Sequence, residues 1–65
     1  MYVIVQKTGF CEYFLCDLPR AENPTGGYTT RKALALRLPL WRASKLVKRL
    51  NRPNQPIPLT YRQEG

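Results

Sequence analysis

The chain has 65 residues, with 11 Lys and Arg against 4 Asp and Glu, so its formal net charge is +7 and its pI is near 10.0. This length indicates one small domain, residues 1–65, whose core is too small to enclose a deep active site. The chain has no His, so it lacks the commonest general acid or base and the commonest metal ligand. These features favour a basic binding module over an enzyme.

The hydrophobic content of 43% is too high for a disordered basic tail. The longest nearly uncharged apolar run, residues 2–5, is far shorter than the about 20 residues that span a bilayer. The first residues also lack the features of a signal peptide. We therefore expect the protein in the cytoplasm of the producing or host cell, and its size and charge would suit a phage accessory protein.

Two segments rich in β-branched and aromatic residues, 1–6 and 10–16, predict a β-hairpin. A two-residue Thr8-Gly9 loop would mix polar and apolar residues on both faces. We therefore predict a three-residue loop, Lys7-Thr8-Gly9, with Gly9 in the left-handed conformation. That register produces one continuous apolar face, formed by Val3, Val5, Cys11, Tyr13 and Leu15.

The reverse face of the predicted hairpin is also too apolar to lie wholly in water. It carries Tyr2, Ile4, Phe10, Glu12 and Phe14. We expect this face to be covered or to form a contact surface.

The two cysteines, Cys11 and Cys16, are predicted to be free thiols in a reducing compartment. In an extended chain they lie about 16 Å apart, too far for a disulfide. A structural zinc site needs four ligands, and only Glu12 and Asp17 stand close to these thiols. We predict no metal and no cofactor.

Residues 18–30 contain two prolines, an Asn-Pro and a Gly-Gly, a composition typical of a loop. The next segment, residues 32–38, is ambiguous, because its Ala and Leu favour a helix whereas its leucines recur at period two. We favour a third strand here. A helix-turn-helix over residues 29–52 is the alternative, but its turn lacks the usual Gly.

From Pro39 to about Arg52 the pattern predicts an amphipathic helix that begins at the proline and ends near Asn51. Its apolar arc consists of Leu40, Ala43, Leu46, Val47 and Leu50. Residues 57–62 alternate apolar and polar and predict a short edge strand. The predicted fold is α+β: a hairpin, a probable third strand, one basic helix packed on the sheet and a C-terminal strand.

The positive charge is concentrated in residues 31–52, which contain eight basic residues and no acidic one. A helix built only for solubility would mix charges of both signs. We expect the partner to supply the negative charge. The candidate binding residues are Arg31, Lys32, Arg37, Trp41, Arg42, Lys45, Lys48, Arg49 and Arg52.

Trp41 has two interpretations. Its helical angle places it beside Lys45 and Lys48, where an exposed indole could stack on a base or anchor a partner. Alternatively, an irregular first turn would bury it in the core. The sequence does not choose between these two.

The predicted function is non-catalytic binding of nucleic acid, DNA or RNA, through its phosphate backbone. The alternative is a small inhibitor or adaptor that docks on an acidic protein surface and uses the aromatic face of Tyr2, Phe10 and Phe14. We predict no membrane partner, since the apolar arc is needed to cover the sheet. A homodimer is left open.

Overall fold

The computed structural model describes residues 1–64. It contains four strands, β1 (Tyr2–Lys7), β2 (Glu12–Asp17), β3 (Gly27–Thr29) and β4 (Thr60–Gln63), and one α-helix, α1 (Leu40–Leu50). The strands form one antiparallel sheet in the order β3-β2-β1-β4, with α1 packed against it. The predicted α+β fold, with its hairpin, helix and C-terminal strand, is confirmed. Within residues 1–64 the structure has no helix long and apolar enough to cross a membrane.

The register of the hairpin was predicted incorrectly. Val5 pairs with Phe14, whereas the prediction paired it with Cys11, so β2 is displaced by three residues. Because side chains alternate between the two faces of a strand, an odd displacement moves every β2 side chain to the other face. Leu15 therefore lies on the face of Ile4, away from Val5.

The cause of this register is a four-residue loop, residues 8–11, organised by Thr8. The Thr8 backbone N–H donates to the Cys11 carbonyl at 2.9 Å. The Thr8 hydroxyl accepts from the backbone N–H groups of Phe10 and Cys11, both at 3.1 Å. Threonine hydroxyls stabilise such turns without a left-handed residue. Gly9 accordingly does not have the positive φ that we predicted.

Residues 18–30 are not entirely a loop, because Gly27–Thr29 forms β3 at the edge of the sheet. Gly26 has a φ of +81°, and a Cβ there would lie 2.7 Å from the Asp17 carbonyl oxygen and 2.8 Å from Leu15 Cδ1. Only glycine fits both the conformation and the space. Gly26 thus permits a close approach to β2 that brings the following residues into the sheet.

The segment predicted as the third strand has a different structure. Lys32–Leu34 forms a short 3₁₀ helix, and the extended chain that follows lies where β1 and β2 separate. Leu38 exchanges two backbone hydrogen bonds with Tyr2, of 2.7 and 2.8 Å, and the Leu36 N–H donates to the Leu15 carbonyl at 2.9 Å. Because these residues are extended, the helix-turn-helix alternative is wrong.

The helix begins one residue later than predicted, with Pro39 as its N-cap, and Asn51 is its C-cap, as expected. Ala43 is fully buried, and three further residues of the apolar arc pack on the core: Leu46, Val47 and Leu50. Leu40 was wrongly assigned to this arc. It lies in the first turn at the edge of the interface and is 48% exposed.

The two faces of the sheet bury different clusters. The helix-facing side packs Ile4 and Leu15 against α1. The outer side packs Val3, Val5 and Phe14 against Ala35, just after the 3₁₀ helix. The corrected register thus gives the small domain two separate apolar clusters.

The C-terminal end of α1 is joined to the chain before β4 by a side chain that mimics a strand. Asn51 Nδ2 donates to the Leu59 carbonyl at 2.9 Å, and the Leu59 N–H donates to Asn51 Oδ1 at 2.7 Å. We expect Asn51→Ala to lower the free energy of unfolding by about 1 to 3 kcal/mol, because Leu59 is buried and its backbone groups would lose their partners.

Denaturant unfolding measures this loss, and Asn54→Ala, in the exposed turn that follows, is the matched control. We expect the control to change stability by less than about 0.5 kcal/mol. Equal effects of the two substitutions would show that the Asn51 bridge does not stabilise the fold.

Candidate functional site

The outward side of α1 carries a continuous cationic surface. The five basic residues from the helix to its C-terminal end are all exposed, namely Arg42, Lys45, Lys48, Arg49 and Arg52. Within residues 1–64 none of them forms an ion pair. The first turn of α1 contains no acidic residue, and Pro39 provides no side-chain cap. The chain therefore does not neutralise this surface.

Three of the four acidic residues, Glu12, Asp17 and Glu64, form ion pairs away from α1. Arg62 binds Glu12 at 3.0 Å and Glu64 at 3.2 Å on the outer side of the sheet, and Arg20 binds Asp17 at 2.6 Å near the end of β2. Ion pairs thus lie on and around the sheet, whereas the five cations of the helix surface are unpaired within residues 1–64.

Trp41 is exposed over 69% of its surface, so of its two interpretations the buried one is wrong. A Trp buries about 150 to 250 Å² in a core, and leaving most of this area in water forgoes about 3 kcal/mol of hydrophobic stabilisation. The first turn of α1 is regular, with the Ala43 N–H donating to the Pro39 carbonyl at 3.0 Å. The helix therefore directs the indole outward, away from the sheet.

A groove of about 280 Å³ lies between α1 and the chain that leaves β2. It combines apolar and cationic side chains. Its lining residues are Leu18, Pro19, Trp41, Arg42, Lys45, Leu46 and Arg49.

Besides Leu46 of the apolar arc, two lining residues of this groove are absent from the candidate binding residues, Leu18 and Pro19. They lie more than twenty positions before Trp41 in the chain, and no local pattern connects them to the helix. The end of β2 brings them there.

Lys48 and Arg52 are absent from the lining of this groove. Arg52 lines a second cleft, of about 320 Å³, together with Thr25 and Leu50. The helix cations therefore extend beyond a single concave site.

The three candidate residues before the helix are placed differently. Lys32 Nζ lies 2.9 Å from Glu64 Oε2, and Arg31 is exposed at the start of the 3₁₀ helix. Leu36 and Leu38 both pack with the helix-facing core, so alternation in the extended chain places Arg37 on the outer side. Six of the nine candidate residues thus lie on α1 or just after it, and the other three lie on the segment before it.

The aromatic surface expected for the inhibitor alternative does not form. Tyr2 packs on the helix-facing side, where its ring meets Tyr61 edge-on at 5.9 Å, whereas Phe14 is buried on the outer side. Phe10 is 99% exposed in the hairpin loop. The predicted face depended on the hairpin register, and the loop formed by Thr8 separates these three rings.

Within residues 1–64 the structure has no group of three or more Cys, Asp or Glu residues placed to hold a metal ion. Cys11 and Cys16 are free and half-buried. The lining of the Trp41 groove contains no carboxylate, thiol or hydroxyl group. The groove is therefore equipped to bind anions and flat apolar groups.

No protein-family model, curated protein or solved structure matches this chain. The candidate site therefore rests on its own geometry and charge.

We expect Trp41→Ala to change the free energy of unfolding by less than about 1 kcal/mol, because the indole is mostly in water. The control is Phe14→Ala, which removes a buried ring and should cost about 3 to 5 kcal/mol. Denaturant melts compare the two variants. A loss in Trp41→Ala as large as in Phe14→Ala would mean that the indole is part of the core.

The Lys32 ammonium and the Arg62 guanidinium hold the pKa of Glu64 below its ordinary value of 4.5. Because folding lowers this pKa, the interaction stabilises the fold above the unfolded pKa and is lost as pH falls through the folded pKa. We expect Glu64→Gln to lower the melting temperature near pH 7 and to have a smaller effect at about pH 3.

Glu22→Gln is the charge-matched control, since Glu22 is exposed and forms no ion pair within residues 1–64. Thermal melts at both pH values should give nearly the same melting temperature for this variant as for the parent protein. A Glu64 effect that does not shrink on acidification would contradict the ion-pair account.

Proposed function

We propose that this protein is a non-catalytic nucleic-acid-binding module that captures the phosphate backbone with the outward side of α1. One observation carries the proposal: five exposed cations follow one another along the helix and its end, and none has a carboxylate partner within residues 1–64. A polyanion is the partner whose charge complements this surface.

The spacing of the cations supports the same partner. Arg42, Lys45 and Arg49 follow one another at three- and four-residue intervals, and like charges at such spacings destabilise a helix by about 0.2 to 0.5 kcal/mol per pair. Bound phosphates would relieve this repulsion. When these cations neutralise phosphates, the counterions condensed on the nucleic acid are released, and this release is the main source of sequence-independent affinity.

Binding without catalysis fits the chemistry of the groove. General acid and base catalysis relies mostly on His, Asp and Glu. The chain has no His, and the groove lining has no carboxylate. The two free thiols fit a reducing compartment, and we extend the proposal to the cytoplasm of the producing or host cell.

The alternative partner, an acidic protein surface, would use the same cations. The aromatic face on which that alternative depended is divided between two sides of the sheet and a loop. Nucleic acid therefore remains the better-supported proposal.

We expect binding to duplex DNA to weaken with salt along a log-log slope of about −4 to −5, because each of five phosphate contacts contributes about −0.9. The double variant Lys45→Gln/Arg49→Gln should reduce the magnitude of this slope by about 2 and weaken binding. Fluorescence anisotropy of a labelled duplex, titrated at several salt concentrations, measures both quantities.

The control is Lys7→Gln/Arg37→Gln, which lowers the net charge by the same two units on the outer side of the sheet. Lys7 is exposed and lies on the face of Val5, opposite the face that packs against α1. We expect this variant to keep the parent slope. Equal losses in both variants would mean that net charge, and not the helix surface, determines binding. A slope near zero would contradict the proposal.

A further inference from the structure

The proposed function uses the charge of α1 but does not require Trp41 or the groove beside it. The cations alone could bind phosphate without an exposed indole. The only Trp of the chain is nevertheless 69% exposed on the cationic side of the helix, and it lines a groove with partly apolar walls. This combination indicates a ligand that presents a flat apolar surface together with negative charge.

A nucleotide with an accessible base has both properties. Aromatic side chains in basic grooves stack on successive bases of single strands, and this contact tolerates any sequence because every base has a π-face. In a duplex the base faces are stacked inside the helix, and only the base edges are accessible from the grooves. Trp41 is therefore suited to a single strand.

The shape of the groove points the same way. Leu18 and Pro19 line it together with Arg42 and Arg49, so this side of α1 is flanked by another part of the chain. The major groove is about 12 Å wide, and a bare helix of about 10 to 12 Å already fills it. The chain at Leu18 and Pro19 therefore obstructs insertion of this side of α1 into the major groove of a duplex, whereas a flexible single strand can enter the open groove.

The cations lie at distances that suit a strand along the helix. Arg42 and Arg49 are separated by seven residues, or about 10.5 Å of helix axis. In a stacked strand each phosphate advances about 3.4 Å along the axis. The stretch from Arg42 through Lys45 to Arg49 therefore matches about three phosphate steps of a stacked strand.

We propose that the groove beside Trp41 binds single-stranded nucleic acid, with one base stacked on the indole and the flanking phosphates held by Arg42, Lys45 and Arg49. The apolar wall of Leu18 and Pro19 closes the other side of the stacked base. This inference rests on the proposed function, since it identifies the class of nucleic acid that the cationic helix captures.

The test compares an oligothymidine strand of about 12 nucleotides, within the usual site sizes, with a duplex of the same length at one salt concentration. Because Trp41 is the only Trp, its fluorescence reports on the groove directly. We expect the single strand to bind about tenfold more tightly than the duplex, a difference of about 1.4 kcal/mol, and to quench the indole emission.

Three substitutions separate stacking from general apolar contact. Trp41→Ala and Trp41→Leu should each weaken binding of the single strand by about 5- to 150-fold, the range for one lost stacked base. Trp41→Phe, which keeps an aromatic face, should retain most of the affinity. Binding of the duplex should change little in all three variants.

The outcomes distinguish the two proposals. If the duplex binds as tightly as the single strand and Trp41→Ala has no effect on either, the single-strand inference is wrong and phosphate capture by α1 still stands. If Trp41→Leu binds as tightly as Trp41→Phe, stacking is excluded. If neither nucleic acid binds in a salt-dependent manner, both proposals fail.

Discussion

The backbone pairing between Leu38 and Tyr2 positions α1. Two hydrogen bonds, of 2.7 and 2.8 Å, join the chain just before Pro39 to the first residue of β1, and the bond from Leu36 to Leu15 holds the same segment against β2. Proline at the N-cap follows directly, so the helix begins where the two strands separate. From this point the apolar arc must lie on Ile4 and Leu15, and the cations must face outward.

The charged residues on the two sides of the molecule differ in their contacts. On the outer side of the sheet, Glu64 accepts from both Lys32 and Arg62. Its own N–H donates to the Met1 carbonyl at 2.9 Å, which joins the residue after β4 to the residue before β1. Exposed ion pairs of this kind contribute little to stability individually. Their more important effect here is that they engage carboxylates away from α1, so the helix remains strongly cationic.

The elements that could be predicted are those specified by local pattern. The helix follows from its 3.6-residue periodicity between Pro39 and Asn51, and the two hairpin strands follow from their β-branched and aromatic residues. The register could not be predicted in this way, because it depends on the hydroxyl of Thr8, and the choice of loop changes the face of every β2 residue. The third strand was missed for a similar reason: Gly27–Thr29 is held in the sheet by its neighbour β2 and has too little strand pattern of its own.

For the candidate site, the sequence by itself determined which residue types are present and where they concentrate: eight cations without a carboxylate in residues 31–52, and one Trp among them. Only the tertiary structure decided which of them lie together. In the structure Trp41 is exposed, Lys32 binds Glu64, and Arg37 lies on the outer side of the sheet. Leu18 and Pro19 lie beside the helix and form a groove with it. The physical reason is that charge and periodicity are local properties of a chain. A groove instead requires two segments distant in sequence, and here the sheet that connects them holds them at a fixed separation.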